Sequence, residues 1–223
     1  MKRLPMKVWT WSSQVPLPLC KQEEYFKGPA ALDLWDKFKG YADYNDFTIK
    51  WLAECRRVMK KDAFIWIMGS FQNICRLGYL MQNMGFWILN DVIWSKHNTV
   101  PNFRGTKLQN SHETLLWCTK SKDCRYTFNY ETMKFLNGGN RKKRLEYRDM
   151  CRKGEVKRQI KKENLLHSKA WKVVYNVIIS SSKPGDLILN PFFGTVGVVA
   201  KKTSRNYIGF ELDKTYQSMR VKD

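Results

Sequence analysis

In the first half of the chain, segments whose apolar residues recur with a helical period alternate with short apolar segments typical of strands. Residues 46–60 carry apolar side chains on one stripe and charged side chains off it, which predicts an amphipathic helix. Residues 63–68 form a continuous apolar run, which is typical of a strand covered on both faces. A second helix is predicted over residues 71–84, and two further strands over 86–95 and 113–119. Strands that alternate with helices predict an α/β sheet.

The second half of the chain begins with a segment of different character. Between residues 120 and 169 charges crowd together and the periodicity is weak. This segment is a linker, an insertion or a nucleic-acid-binding arm, or else an ordinary solvated surface loop. The α/β pattern then returns, with helices predicted at 173–181 and 198–202 and strands at 187–189 and 207–210.

Composition adds a strong basic bias to this picture. The chain has 223 residues, and 40 Lys and Arg against 20 Asp and Glu give a formal net charge of +20. Such an excess favours a polyanionic partner, most simply nucleic acid, because each phosphate contact releases condensed counterions.

Other classes of protein are disfavoured by the same inspection. No apolar run approaches the roughly 18–20 residues of a membrane span, and residues 8–11 are too short and mixed for a signal-peptide core. We therefore expect a cytoplasmic protein without a membrane partner. The six cysteines form no Cys-x-x-Cys pair, and the three histidines supply no recurring ligand spacing. Reduced structural thiols are thus favoured over a metal site.

Residues 187–197 combine a short apolar strand, a glycine-containing loop and the start of a helix. In a Rossmann-like unit such a loop lets a ligand approach the backbone, and an acid about 20 residues later binds ribose hydroxyls. Glu211 follows Gly194 by 17 residues, which fits this spacing. A generic loop between buried elements would give the same pattern, so the pattern alone is weak evidence.

The loop sequence itself is more specific. Asn190-Pro191-Phe192-Phe193-Gly194-Thr195 resembles the Asp-Pro-Phe-Phe-Gly-Thr-Gly signature of S-adenosylmethionine-dependent DNA amino-methyltransferases of the permuted, β-type order. Other segments, in order along the chain, resemble the cell-cycle-regulated bacterial adenine methyltransferases that modify GANTC sites. These segments are WDKF (35–38), GSFQNI (69–74), LNDVIW (89–94), PNFRGT (101–106), SHETL (111–115) and YTFNY (126–130).

The resemblance implies a fold and a division of the chain. The implied fold is an α/β, Rossmann-like methyltransferase domain, with a mixed sheet flanked by helices and the catalytic half before the cofactor half. Residues 1–119 would form the catalytic half, 120–165 a basic DNA-contacting insertion or linker, and 166–223 the cofactor-binding half. S-adenosylmethionine is the implied cofactor, and no metal is implied.

The resemblance also implies which residues hold the cofactor. Glu211 would bind the ribose, the two phenylalanines of the loop would line the pocket, and Gly194 would give access to the backbone. Ordinary core packing remains the alternative for the phenylalanines, and a solvated helix N-terminus remains the alternative for Glu211. The complete implied set is Asn190, Phe192, Phe193, Gly194, Thr195 and Glu211.

Catalysis in the family requires an Asp-Pro-Pro-Tyr-type tetrapeptide after the first strand of the catalytic half. Its acid and a backbone carbonyl accept hydrogen bonds from the adenine amino group, and its ring stacks on the extruded base. The 223 residues contain no such tetrapeptide, and its expected place falls near Val15, Pro16, Leu17 and Pro18. The first strand is also expected to be missing. A longer upstream reading frame would add that strand but not the tetrapeptide.

Two further departures lie in the cofactor half. Asn190 replaces an aspartate that would help to bind the charged amino group of the cofactor, and a neutral amide lacks that charge-assisted bond. The glycine loop and the segment 167–175 are each about two residues shorter than in the family. We therefore expect a DNA adenine-N6 methyltransferase by descent whose activity is absent or feeble. A catalytically silent, DNA-binding relic is the alternative.

Double-stranded DNA is the implied partner. Asn102, Arg104 and Lys107 lie in a loop where the resemblance places DNA contacts, and Asn and Arg can read base edges. A structural turn is the alternative for this loop. The basic run that could follow phosphates consists of Arg141, Lys142, Lys143 and Arg144. The resemblance leaves a homodimer open and implies a bacterial protein associated with the nucleoid.

Overall fold

A computed structural model describes residues 6–11, 38–96, 105–106, 108–136, 169–192 and 195–210, with residues 6–11, 136, 169 and 170 described by their backbone alone. Six strands within these ranges form one sheet. They are β1 (Met6–Trp11), β2 (Phe64–Gly69), β3 (Trp87–Ser95), β4 (His112–Thr119), β5 (Leu187–Asn190) and β6 (Asn206–Gly209).

The strand order across the sheet is β3-β4-β2-β1-β5-β6. β1 pairs in parallel with both β2 and β5, and β5 pairs in parallel with β6. β4 runs antiparallel to β2 and to β3. The sheet is therefore mixed, and the predicted fold class is confirmed.

Helices cover both faces of the sheet. The helices are α1 (Tyr41–Val58), α2 (Ile74–Asn83), α3 (Tyr130–Leu136), α4 (Lys169–Ser181) and α5 (Val196–Lys202). α1 and α2 pack on one face, and α3, α4 and α5 pack on the other. No helix of the described chain is both long enough and apolar enough to cross a membrane.

The continuous apolar run at residues 63–68 forms most of β2, which is buried on both faces. All six of its residues are buried, because side chains of alternate residues meet different helical layers. Trp66 packs in the layer of α3, α4 and α5, whereas Ile65 and Ile67 pack in the layer of α1 and α2. On the face covered by α3, α4 and α5, Trp66 stacks on Trp117 of β4, with ring centroids 5.2 Å apart and an interplanar angle of 4°.

The predicted helices differ from the observed ones mainly at their starts. α1 begins at Tyr41, five residues earlier than predicted, because Tyr44 in its first turn is buried although its hydroxyl group weakens the apolar stripe. α2 begins at Ile74 rather than at residue 71, since the connection from β2 takes up residues 70–73. α4 and α5 also begin earlier, at Lys169 and Val196.

The expectation that the first strand is missing is wrong. Residues 6–11 form β1, which lies between β2 and β5 in the middle of the sheet. Val8 pairs with both Ile65 and Leu189. The strand was missed although Val8, Trp9, Thr10 and Trp11 are all residue types that favour strands, because polar and apolar residues do not alternate regularly in it and only its two neighbours establish it as central.

Part of the segment after Thr119 belongs to the folded core. Met133 of α3 is fully buried in the layer of α4 and α5. The Asn129 side-chain amide donates to the carbonyl oxygens of Ile179 at 2.7 Å and Ser182 at 2.8 Å. The backbone N–H of Asn129 donates to the carbonyl oxygen of Ser180 at 2.7 Å. These bonds satisfy carbonyls that the end of α4 leaves without helical partners.

Candidate active site

Four parallel strands end at one edge of the sheet, here called the carboxyl edge. β1 ends at Trp11, β2 at Gly69, β5 at Asn190 and β6 at Gly209. The next described helix after β1 is α1 on one face, whereas β5 leads to α5 on the other face. The topological switch point therefore lies between β1 and β5, and ligands of open α/β sheets bind at such points.

The sheet register places the connection between β3 and β4 at the same edge. Gly69 at the end of β2 pairs with Thr114 of the antiparallel β4. Ser95 at the end of β3 pairs with His112 at the start of β4. The connection therefore leaves and rejoins the sheet at the carboxyl edge. β4 is three strands from β5, which corresponds to about 14 Å at ordinary strand spacing.

Contacts between the two ends of this connection join the end of β3 to the start of β4. The backbone N–H of Lys96 donates to the carbonyl oxygen of Ser111 at 2.6 Å. The Lys96 ammonium group forms an ion pair with the Glu113 carboxylate and lies 5.6 Å from the centroid of the Trp94 ring. Neither Lys96 nor Glu113 was singled out from the sequence as a site residue, because only the antiparallel pairing brings them together.

Asn190 is a buried polar residue at the switch point. Its side chain has no solvent exposure, and its Oδ1 accepts the backbone N–H of Phe192 at 3.2 Å. Because that donor can bond only to oxygen, the orientation of the amide is set and Nδ2 is the group left over. Nδ2 is buried and has no hydrogen-bond partner among the described residues. The carbonyl oxygen of Asn190 accepts the backbone N–H of Phe210 at 3.3 Å.

Phe192 belongs to a cluster of aromatic rings that links the loop after β5 to α1. Its ring meets Trp51 edge-on at 5.4 Å and lies 6.4 Å from Phe47. Phe38 continues the cluster, at 5.3 Å from Phe47 and 5.4 Å from Tyr44. Phe192 is only partly buried, so packing against α1 fixes its ring without removing it from the edge. Ordinary packing, the alternative to a cofactor role, thus explains the contacts of the Phe192 ring with α1 but not its exposed part.

The start of α5 is shaped by packing against β6. The Thr195 carbonyl oxygen accepts the backbone N–H of Val199 at 3.2 Å, which begins the helix. A Cβ atom on Gly197 would lie 2.7 Å from Cε1 of Tyr207 in β6. Gly197 is therefore required for the close approach of helix and strand, which is one established role of a glycine in this kind of loop.

The remaining predicted site residues lie outside the described ranges, and their assignments stay predictions. For catalysis they are Val15, Pro16, Leu17 and Pro18; for the cofactor Phe193, Gly194 and Glu211; for DNA Asn102, Arg104, Lys107, Arg141, Lys142, Lys143 and Arg144. Within the described part of the predicted cofactor set, the structure brings Asn190 and Phe192 into direct contact and places Thr195 at the start of α5.

The buried cysteines take no part in this site. Desolvation by burial raises the pKa of the thiols of Cys55 and Cys118 to about 12, so both remain protonated at neutral pH. Cys75 is exposed and the four cysteines of the described ranges are free thiols. A thiolate nucleophile is thus not available from Cys55 or Cys118.

Comparison with known proteins points to one family. The model of the family N6_N4_Mtase, described as DNA methylase, matches residues 20–222. The chain is 50% identical over 187 residues to the Type II methyltransferase M.HinfI of Haemophilus influenzae, covering 82% of this chain and 52% of that protein. It is 35% identical over 187 residues to the Type II methyltransferase M2.DpnII of Streptococcus pneumoniae, covering 82% of this chain and 68% of that protein. The chain thus spans about half the length of the first relative.

Solved structures share the fold at low sequence identity. The complex of M1.HpyAVI with SAM superposes with a TM-score of 0.63 at 19% identity, covering 96% of this chain and 86% of that chain. The cytosine-N4-specific PvuII DNA methyltransferase superposes with a TM-score of 0.65 at 17% identity, covering 99% of this chain and 81% of that chain. At these identities the likeness establishes the fold alone.

Proposed function

Because the chain belongs to the DNA methylase family, we propose that it is by descent a site-specific DNA adenine-N6 methyltransferase acting on GANTC-like sites in double-stranded DNA. The proposed cofactor is S-adenosylmethionine, which when bound supplies an electrophilic methyl group on a positively charged sulfur. We propose that methyl transfer by this chain is feeble, since its catalytic tetrapeptide is replaced. The proposed location is the bacterial cytoplasm, in association with the nucleoid.

The adjacency of β1 and β5 carries the proposal. Their register runs from Met6 opposite Leu187 to Val8 opposite Leu189, and both strands end at the carboxyl edge. Group transfer requires the donor and the acceptor to be held in contact. The register places Asn190, the end of β5, level with Trp9, two residues before the end of β1, so the segments that leave the two strands start roughly 8 Å apart. This arrangement supports a base pocket after β1 beside a cofactor pocket after β5.

Asn190, the last residue of β5, offers a hydrogen-bond donor to the amino-acid end of the proposed cofactor. The Nδ2 group of Asn190 is a buried donor without a described acceptor, and a carboxylate oxygen is a suitable acceptor for it. The Oδ1 atom already accepts the backbone N–H of Phe192, and it carries no charge with which to attract an ammonium group. Asn190 would therefore hold the carboxylate of the cofactor and give weaker affinity than an aspartate in its place.

The segment after β1 explains why transfer would be feeble. An adenine amino group that attacks a methyl group gains positive charge and needs an acceptor close to it. The chain continues after Trp11 as Ser12-Ser13-Gln14, reaches Val15 and Pro16, and contains no carboxylate before Glu23. The loss of a positioned proton acceptor typically costs a factor of about 10² to 10⁴ in rate.

A second candidate function is DNA binding without catalysis. It is favoured by the same sequence, because Val15 to Pro18 offers neither a carboxylate nor an aromatic ring to an extruded base. The net charge of +20 would support binding to phosphates whether or not transfer occurs. The two functions differ in whether any methyl group reaches DNA.

Transfer of a radiolabelled methyl group separates the two candidates. The substrates would be a GANTC duplex and, as the matched control, the same duplex already methylated at adenine N6 on both strands. We expect slow incorporation into the unmethylated duplex alone, at a rate at least about 100-fold below that of a relative with an intact tetrapeptide. The absence of incorporation would favour the silent binding protein. Incorporation into cytosine, or at the rate of the intact relative, would contradict the proposed function.

A further inference from the structure

Arg76 at the start of α2 is held in a fixed position by two residues of α1. The guanidinium carbon lies 4.3 Å from the centroid of the Tyr41 ring. Arg76 Nη1 donates to the Asn45 Oδ1 at 3.2 Å. A ring face and a neutral amide orient the guanidinium group but leave its charge in place. Within the described residues only Nη1 of the guanidinium group has an acceptor, which leaves most of the five donor positions for another ligand.

No carboxylate of the described residues neutralises this charge. No ion pair joins Arg76 to an acid within the described ranges, although α1 carries Asp43 and Asp46 nearby in sequence. The Asp43 carboxylate instead accepts the backbone N–H of Lys39 at 3.2 Å, before the first turn of α1. An arginine that is oriented and has no acid partner among the described residues is suited to binding an external anion.

The cluster of Tyr41, Asn45 and Arg76 lies at the carboxyl edge of the sheet. α2 follows the end of β2 after a connection of four residues, so its first turn is at that edge. α1 runs beside α2 in the same direction, since Tyr44 of α1 accepts from Asn73 just before α2 at 3.3 Å. The guanidinium group is therefore on the side of the molecule where the switch point and the connection between β3 and β4 also lie.

We propose that Arg76, oriented by Tyr41 and Asn45, binds a phosphodiester group of the DNA backbone during binding of duplex DNA. This inference rests on the proposed function, and it adds to the proposed DNA contacts one that is made by residues of α1 and α2. A planar guanidinium fork matches two phosphate oxygens, and orientation before binding reduces the entropy lost on contact. The contact would fix the position of the duplex and would not read its sequence.

Arg56 provides a matched control for Arg76. Its guanidinium carbon lies 5.0 Å from the centroid of the Phe86 ring, and Nη1 donates to the carbonyl oxygen of Lys120. It therefore has the same charge, the same kind of ring contact and the same kind of neutral acceptor. It differs in position, because Phe86 precedes the start of β3 at the opposite edge of the sheet.

The test measures binding of the full chain to a GANTC duplex as a function of salt concentration. Arg76→Met is expected to weaken binding about five- to tenfold and to reduce the slope of log affinity against log salt by about one phosphate contact. Arg56→Met is expected to leave the slope unchanged. Arg76→Lys keeps the charge and is expected to keep the slope. Thermal unfolding of each variant checks that the fold is retained.

A second variant separates the charge from its orientation. Tyr41→Leu keeps Arg76 but removes the ring beneath it, so affinity is expected to fall about threefold with little change in slope. An unchanged slope for Arg76→Met in a folded variant would overturn the phosphate contact while leaving the proposed function intact. Failure of the unmodified chain to bind any duplex would overturn the proposed function and this contact together.

Discussion

The Oδ1 atom of Asn190 accepts the backbone N–H of Phe192 at 3.2 Å, which fixes the side-chain amide at the switch point of the sheet. The consequence is a buried Nδ2 donor at the place where the family signature has a carboxylate. A carboxylate would keep the bond to Phe192 with one oxygen and offer the other oxygen to a cation. Asparagine at this position therefore offers a neutral donor where aspartate would offer a charged acceptor.

Asn190→Asp is expected to hold the amino group of S-adenosylmethionine in place of its carboxylate, since the two groups are on the same carbon atom. Binding is expected to strengthen about tenfold, because the bond to the amino group is charge-assisted. Isothermal titration measures the change. Asn190→Leu is the matched control of similar size, and it should bind more weakly than the unmodified chain because the donor is lost. Equal affinity for all three side chains would show that this residue does not touch the cofactor.

Gly197→Ala is expected to lower the free energy of unfolding by about 1–3 kcal/mol, since the new methyl group would lie 2.7 Å from Cε1 of Tyr207. Gly78→Ala is the matched control within α2. Its methyl group would meet Leu116 at an ordinary 3.5 Å, and the helix propensity of alanine should make the change neutral or stabilising by up to about 1 kcal/mol. Urea denaturation of both variants tests the contrast.

Asn129→Asp is expected to lower the free energy of unfolding more than Asn129→Ala does. Alanine leaves the carbonyl oxygens of Ile179 and Ser182 without their donor, which costs about 1–3 kcal/mol. Aspartate has the same shape as asparagine but directs a second oxygen at those carbonyls, so repulsion adds to the loss. Guanidinium denaturation at neutral pH measures both variants, and an aspartate variant as stable as the unmodified chain would contradict the role given to these bonds.

The buried thiols predict a loss of stability at alkaline pH. Desolvation raises the pKa of Cys55 and Cys118 from 9.0 to about 12 in the folded chain, so both states are protonated below about pH 9. Above that pH the unfolded chain releases protons that the folded chain keeps. The free energy of unfolding should then fall by about 1.4 kcal/mol per pH unit for each thiol, up to about pH 12.

Urea denaturation at about pH 8 and about pH 10.5 checks this dependence. Cys55→Ala removes one titrating thiol, so the free energy of unfolding of this variant should differ from that of the unmodified chain by a fixed amount below about pH 9 and should decline less steeply with pH above it. An identical decline in the variant and the unmodified chain would assign the effect to other groups.

Much of the sheet could be predicted from the sequence because burial on both faces leaves a direct signature. The run at residues 63–68 and the glycine after residue 84 predicted β2 and the end of α2 with small errors. β1 could not be predicted, because its tryptophans, Lys7 and Thr10 give no strand period until β2 and β5 flank it. The resemblance to a family signature identified the loop after β5, whereas periodicity alone would have left it a generic turn.

The contacts that orient side chains at the carboxyl edge were beyond sequence analysis. Tyr41 and Arg76 are 35 residues apart on different helices, and no spacing rule joins them. Lys96 and Glu113 meet through antiparallel pairing of β3 and β4. The buried donor of Asn190 depends on a bond to Phe192 two residues away, which the sequence permits but does not require.

Titration of the full chain with S-adenosylmethionine, alone and with a GANTC duplex present, tests the central claim most directly. The same experiment with S-adenosylhomocysteine and with a scrambled duplex provides the controls. The account predicts saturable cofactor binding, weaker than the roughly micromolar affinity expected of an intact enzyme, and salt-sensitive binding of the duplex. The absence of heat with either cofactor form, alongside duplex binding, would contradict the cofactor site at Asn190 and leave a DNA-binding protein built on a methyltransferase fold.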